Sequence, residues 1–302
     1  MVQFLSLLAR EPPSFPPGMM EAFVHALTID LEEWHDICGV PAIESDRRSL
    51  PSRLREDALR LLEMLDRRGS RGTFFVLGRV AETSPKLVEE VAASGHEIAS
   101  HGHEHRMATE TDEAGFVADL DRAARVLEAI TGTRPQGHRA AAWSLGRAKF
   151  DGLAALVRRG YRYDSSLAAV RPLGRPDLPA TPVRLTTPAG TIEEWPPLSA
   201  SSPLGRYPVG FALGLRLLPN RVILKHLSRM AEQGRRAVLA VHPWELDPDP
   251  PRYRLPLGLH IAHYAGLGGM RDKLDDLLRH VKLERIDRLA LPEPLGTVPT
   301  DD

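Results

Sequence analysis

One cysteine, Cys38, in 302 residues excludes an intrachain disulfide. That suits a reducing compartment and not a small secreted domain stapled by disulfides. An excess of charge of one sign is also missing. Lysine and arginine total 39 against 40 aspartates and glutamates, a formal net charge of −1. This balance gives no bulk electrostatic reason to expect nucleic acid or an acidic membrane as partner. No stretch approaches the roughly 20 apolar residues of a spanning helix, so no transmembrane segment is expected. The apolar run from Phe4 to Ala9 is too short for a signal-peptide core, and no lysine or arginine precedes it. These absences point to a cytoplasmic protein, at most peripheral to the inner membrane face.

What is present is enough for a proper core, with 42% hydrophobic and 26% charged residues. Residues 1–21, with prolines from Pro12 to Pro17, read as an N-terminal extension in which Met19 or Met20 is an alternative start. Residues 22–290 read as one domain and 291–302 as a C-terminal tail. Within the domain, short apolar strands alternate with helices. AFVHALTID (22–30), TFFVLG (73–78), HEIAS (96–100), a strand at GHRA, YRYDSS, TIEEW (191–195), AVLAVH (237–242) and VKLERI read as strands. Helices are expected over 52–69, 85–95, around Phe116–Ile130 with a stop at Gly132, 147–159, 221–233 and 270–280. The alternation implies an α/β fold with a parallel sheet covered by helices, either a β/α barrel or an open doubly wound sheet. In both, chemistry sits at the carboxyl ends of the strands. Five strand ends carry suitable groups: Asp30 and Glu32, then His101 and His105, Arg139, Asp164, and His242.

The stretch SHGHEHRM (100–107) holds three of the twelve histidines. His101 and His105, four apart, can reach one ion from a helical turn or from a tight loop that Gly102 permits. Neutral imidazole is a common zinc ligand, and a catalytic zinc usually has three protein ligands. Asp30 and Glu32, two apart on an extended strand, point to one side. One can bind metal while the other takes a proton from water. Glu33 would point away. His242, at a strand rim, suits a general acid if a carboxylate holds its other nitrogen, and Asp164 is a candidate for that carboxylate. Arg139 is placed to pair with Asp30. His103 receives no role.

The ordered motifs TIDLEEW, SHGHEH, HRAAAWS, YDSS and VHPWELDP resemble those of the NodB-type polysaccharide deacetylases, carbohydrate esterase family 4. DLEEWH, GYRYDSS and HPWELDPDPPR are similar to a branch associated with exosortase exopolysaccharide loci. The resemblance runs from about residue 23 to 288. It implies a distorted β/α barrel of the NodB type and metal-assisted removal of N-acetyl groups from a polysaccharide. By resemblance, Asp30 is the general base, and His101 and His105 are metal ligands. Arg139 orients the base, Asp164 holds His242, His242 is the general acid, and Trp244 walls the acetyl methyl. The one divalent metal ion implied is taken to be zinc. A backbone N–H near Ala142 or Trp143 would be the oxyanion donor, with Trp143 counted among the substrate-binding residues.

Three departures matter. Leu31 stands where the family's metal aspartate usually follows the base, so Glu32 is the substitute. The family's R-x-P-Y is here Arg139-Ala140-Ala141-Ala142. His103 sits between the metal histidines. The expected activity is metal-dependent deacetylation of an amino sugar in a polysaccharide or its lipid-linked precursor. Two alternatives are a metal-independent amidohydrolase on a small C–N substrate and a non-catalytic carbohydrate-binding member of a synthesis complex.

Overall fold

The computed structural model describes residues 23–291 and the backbone of 298–299. The extension expected over 1–21 lies outside the described residues, as does most of the tail expected over 291–302. The strands are β1 (Val24–Leu31), β2 (Thr73–Val76), β3 (Glu97–Ser100), β4 (Gly137–His138), β5 (Tyr163–Asp164), β6 (Val183–Thr187), β7 (Gly190–Glu194), β8 (Ser199–Ser202), β9 (Gly205–Pro208), β10 (Val238–Val241), β11 (Lys282–Glu284) and β12 (Val298–Pro299). The α-helices are α1 (Pro41–Asp46), α2 (Leu54–Arg67), α3 (Gly78–Thr83), α4 (Pro85–Ala93), α5 (Glu113–Thr131), α6 (Gly152–Arg158), α7 (Ala212–Leu217), α8 (Asn220–Glu232), α9 (Leu257–Tyr264) and α10 (Met270–His280).

A ten-stranded sheet runs in the order β10-β1-β2-β3-β4-β5-β7-β6-β12, with β11 also pairing β1. Every described pairing in it is parallel except β6 with β7. Parallel strands need helical crossovers, which cover both faces and make central strands uniformly apolar. Strand β1 follows that rule: seven of its eight residues are buried. Helix α2 buries Leu54, Ala58, Leu61, Leu62 and Leu65 against the largest core cluster, the face expected from their spacing.

The gap between β7 and β10 is bridged by backbone. Leu198 N donates to Val238 O and Ala240 N to Gly210 O, each at 2.9 Å. The segment carrying the β8–β9 hairpin therefore lies along β10, and the strand path curls round on itself. Curvature shows again at Arg139. β4 is three strands from β1, roughly 14 Å across a flat sheet, yet Arg139 Nη1 lies 2.7 Å from Asp30 Oδ1. The carboxyl ends of the strands thus converge on one point.

Candidate active site

Asp30 arrives on β1, and Glu32 follows after a tight turn in which Glu32 N donates to Asp30 O at 3.1 Å. Both are buried. Glu33 points away: it accepts from Ser52 Oγ and from Arg53 N and so anchors the start of α2. After β3 the chain forms a loop, not a helix. Gly102 (φ 71°) and His105 (φ 57°) are both left-handed, and a Cβ on Gly102 would meet Asp119 Oδ2 at 2.7 Å. Asp119, on α5, accepts from His103 N at 2.6 Å and Glu104 N at 3.1 Å. This carboxylate clamps the loop so that His101 and His105 face inward, their ring centroids 5.1 Å apart. His103 turns outward from them, packing against Gly78 with Nε2 3.3 Å from Glu104 and 3.6 Å from Glu82.

Glu32, His101 and His105 each offer a ligand atom, all within 4.8 Å of one another. The hydrogen bonding shows what they face. His101 Nδ1 lies 2.7 Å from Arg139 O. A carbonyl only accepts, so Nδ1 carries the proton, and in neutral His101 the Nε2 lone pair points inward. There it meets Glu32 Oε2 at 3.6 Å, with His105 Nε2 2.9 Å from the same oxygen. Glu32 Oε2 is buried without a hydrogen-bond donor. The inward Nε2 of His101, the Nε2 of His105 and the Glu32 carboxylate thus meet at one point, and two imidazoles with a carboxylate are a donor set that fits a divalent metal. Burial alone would raise the Glu32 carboxyl, but His105 and His242 outweigh it and hold it well below the usual carboxylate value. The other His105 nitrogen, Nδ1, lies 3.6 Å from Cys38 Sγ.

Arg139 is fully buried. Besides Asp30 it donates through Nη2 to Thr28 Oγ1 at 3.0 Å and Ser165 Oγ at 2.7 Å, and through Nε to Ser165 O at 3.1 Å. Its guanidinium lies over the Phe75 ring at 4.3 Å. The site's positive fork is therefore fixed in one orientation. Asp30 Oδ2 is left facing His242 Nε2 at 3.7 Å and His101 Nε2 at 4.0 Å.

His242 Nε2 also lies 3.5 Å from Glu32 Oε1. Its Nδ1 faces Glu245 Oε2 at 3.4 Å, not Asp164. The expected Asp164–His242 pairing is corrected here. Asp164 Oδ1 instead meets His138 Nδ1 at 2.8 Å and Ser166 Oγ at 2.7 Å, because β5 sits beside β4 and its carboxylate is consumed there. Glu245 reaches His242 because Pro243–Leu246 forms a 3₁₀ turn that folds residue i+3 back; Glu245 Oε2 also accepts from His242 N at 2.9 Å. Burial lowers the His242 imidazole, but Glu32 and Glu245 raise it to about 9. Behind Glu245, buried Arg216 places Nε 3.2 Å from its Oε1. Reading the sequence missed Glu245, Arg216, Asp119 and Cys38. Only Glu245 carried a signal, its position one 3₁₀ turn after His242.

Trp244 is buried and stacked between His242, 5.1 Å away, and His263, 4.3 Å away. Trp143 packs on Phe211 at 5.1 Å. In the altered loop, Ala142 and Trp143 both have φ 51°. Trp143 N donates to Ala140 O at 3.1 Å, so of the two expected oxyanion donors that N–H is committed to the turn. A polar cleft of about 460 Å³ opens beside His105, lined by residues including Val40, Pro41, Glu44, Arg47, Glu104 and Arg106. That volume falls in the range of small-ligand sites.

Comparison with known proteins places this geometry. Residues 51–163 match the family model for polysaccharide deacetylase, and residues 165–291 match a domain of unknown function (DUF3473). The junction falls within one continuous sheet. A peptidoglycan deacetylase-like protein of Gibberella zeae is 39% identical over 111 residues, which is 36% of this chain and 32% of that protein. The match thus spans about a third of that relative's length. A crystal structure from Mycobacterium smegmatis, assigned to the polysaccharide deacetylases, superposes with a TM-score of 0.59 at 24% identity. The superposition covers 91% of this chain and 90% of that one. The PuuE allantoinase structure superposes with a TM-score of 0.56 at 16% identity, covering 91% and 93%. The fold is therefore shared by at least two chemistries, and the side chains have to separate them.

Proposed function

We propose, from the match of residues 51–163 to the polysaccharide deacetylase family model, that the chain hydrolyses the N-acetyl group of an amino sugar in a polysaccharide or its lipid-linked precursor. The observation that carries the reading is the convergence of Glu32, His101 and His105 around a buried carboxylate oxygen that lacks a donor. A metal-independent amidohydrolase would have no use for that arrangement, and a module that only binds carbohydrate would not need His242 and Asp30 within 3.7 Å of each other.

In this reading Glu32, His101 and His105 hold a divalent ion, with zinc the first choice for a mixed nitrogen and oxygen donor set. When bound, such an ion acts as a Lewis acid and lowers the pKa of water. The protein's own groups do the rest. Asp30, fixed by Arg139, accepts the proton of the attacking water through Oδ2. The new C–O bond forms as the amide carbonyl becomes tetrahedral. With the Trp143 N–H committed to the turn, the Ala142 N–H is the remaining donor for the developing oxyanion; losing one such donor typically costs about a hundredfold or more in rate. His242, held through Nδ1 by Glu245, delivers the Nε2 proton to the departing nitrogen, and the C–N bond breaks. The products are a free amine and acetate. Trp244, packed against His242, closes the side where the acetyl methyl would sit.

The test is elemental analysis of the purified protein beside His101→Ala, followed by acetate release from N-acetylglucosamine oligomers. We expect one zinc-like ion per chain in the wild type and its loss in the variant, with acetate release lost in parallel. A wild-type protein that neither contains nor takes up zinc would overturn the metal reading.

A further inference from the structure

We propose that Ser144 is a positioning residue that aims the Ala142 N–H at the developing oxyanion; the inference rests on the deacetylase reading above and adds a residue to it. The turn from Ala140 to Trp143 has little of its own to hold it. Ala140, Ala141 and Ala142 carry no polar side-chain group, and no proline fixes a φ angle there. Ala142 (φ 51°, ψ 29°) and Trp143 (φ 51°) are both left-handed, a conformation that residues bearing a Cβ disfavour. Two such residues in succession need a constraint from their surroundings.

Ser144 supplies that constraint. Its hydroxyl donates to Ala141 O at 2.7 Å, and its N–H donates to the same oxygen at 3.1 Å. Ala141 C=O and Ala142 N–H belong to one planar trans peptide, so the two groups point in opposite directions. Fixing the carbonyl therefore fixes the N–H, and rotating that peptide would break both bonds to Ser144. A serine hydroxyl bonded to the carbonyl three residues back is by itself an ordinary turn feature. Here the same Oγ also accepts from Ala108 N at 2.8 Å. Ala108 lies three residues after His105, on the loop that carries both histidines. The other end of the turn is tied to the start of that loop: Arg139 N donates to Ser100 O at 2.9 Å, and Arg139 O accepts from His101 Nδ1 at 2.7 Å. Ser144, Ala141 and Ala108 are all buried, so bulk water does not compete for these bonds. The direction of the Ala142 N–H is thereby set relative to His101 and His105. An oxyanion donor acts only when its direction and distance match the place where charge develops.

The experiment compares Ser144→Ala and Ser144→Thr with the wild type in acetate release from N-acetylglucosamine oligomers. It also compares their affinity for an oligomer whose reacting acetamide is replaced by a methylphosphonamide. That tetrahedral group mimics the oxyanion, while the ordinary oligomer reports the ground state. Rates and affinities are taken per zinc-loaded molecule, so a less stable variant does not pass for an inactive one. We expect Ser144→Ala to lower kcat about 10- to 100-fold and to weaken the methylphosphonamide by a similar factor, with KM and zinc affinity unchanged. Ser144→Thr, which keeps the hydroxyl, should recover most of both losses. Wild-type kcat in Ser144→Ala overturns the proposal. So does a loss that falls equally on the ordinary oligomer and the methylphosphonamide, or that falls on zinc affinity, because the serine would then only support the fold of the site. In each of these cases the deacetylase reading stands. A zinc-loaded wild type that releases no acetate overturns both.

Discussion

At the scale of single residues, the corrected partner of His242 has the clearest consequence. A general acid works only when its proton points at the leaving group, and a carboxylate on the far nitrogen fixes that orientation. Glu245 occupies that position and is in turn held by Arg216. We predict that Glu245→Gln lowers kcat by roughly 10- to 100-fold with KM little changed, and that Glu245→Asp recovers part of it. Asp164→Asn, in contrast, should act mainly on stability, because Asp164 spends its oxygens on His138, Ser166 Oγ and Ser166 N. Steady-state kinetics beside melting curves separate the two, and a kcat loss confined to Asp164→Asn would return the tether to that residue. Much of this was legible in the sequence: the spacing of His101 and His105 and the acids of TIDLEEW are local facts. The tether was not, because which carboxylate reaches His242 depends on sheet curvature and on a 3₁₀ turn, and neither has a sequence period.

At the scale of elements, α5 holds the histidine loop in place. Asp119 accepts two backbone N–H groups from a loop whose left-handed residues would otherwise relax. Asp119→Ala should lower zinc affinity about 10- to 100-fold, as loss of an outer-shell support usually does, while α5 itself stays folded. Competition with a chelator, read beside far-ultraviolet circular dichroism, checks this; unchanged affinity would make the clamp decorative. Long periodic elements were readable. The helix expected over 270–280 lies at Met270–His280. The one expected over 147–159 begins only at Gly152, where Asp151 caps it by accepting from Ala154 N. β6, the β8–β9 hairpin and α9 went unread. β6 follows a proline-rich stretch and pairs with β7, so its alternating burial is a tertiary fact. α9 has glycine at its second position and apolar residues on both faces, which blurs any helical period.

Across the whole molecule, α2 packs on the turn after β10 through opposed acids, and this sets a pH dependence. Burial, with Asp247 opposite and Glu56 nearby, pushes the Asp57 carboxyl up to about 7, against Arg60 and Arg53. An acid whose folded pKa is raised contributes stability that is complete below its unfolded pKa and is lost as pH rises towards 7. Asn, a permanent mimic of the protonated form, should therefore stabilise the protein in Asp57→Asn most at pH 8 and less at pH 5. The difference is roughly 1–2 kcal/mol, readable by denaturant melts at the two pH values. An advantage that is flat with pH would sink the assignment. Among the described residues no helix is long and apolar enough to cross a membrane.

The order of the sheet also has a consequence during synthesis. Strand β1, which delivers Asp30 and Glu32, lies between β2 and the late strands β10 and β11, and Ala26 pairs with Val238. On the ribosome, β1 emerges about 210 residues ahead of β10. At roughly 5–20 residues per second, that is a delay of about 10–40 s. For that interval one edge of β1, buried at seven of its eight residues, has no partner, and Asp30 and His242 are not yet in the same structure. On the proposed mechanism the nascent chain is silent until His242 has been translated, and over the same interval it is the natural client of a chaperone that covers exposed strand edges.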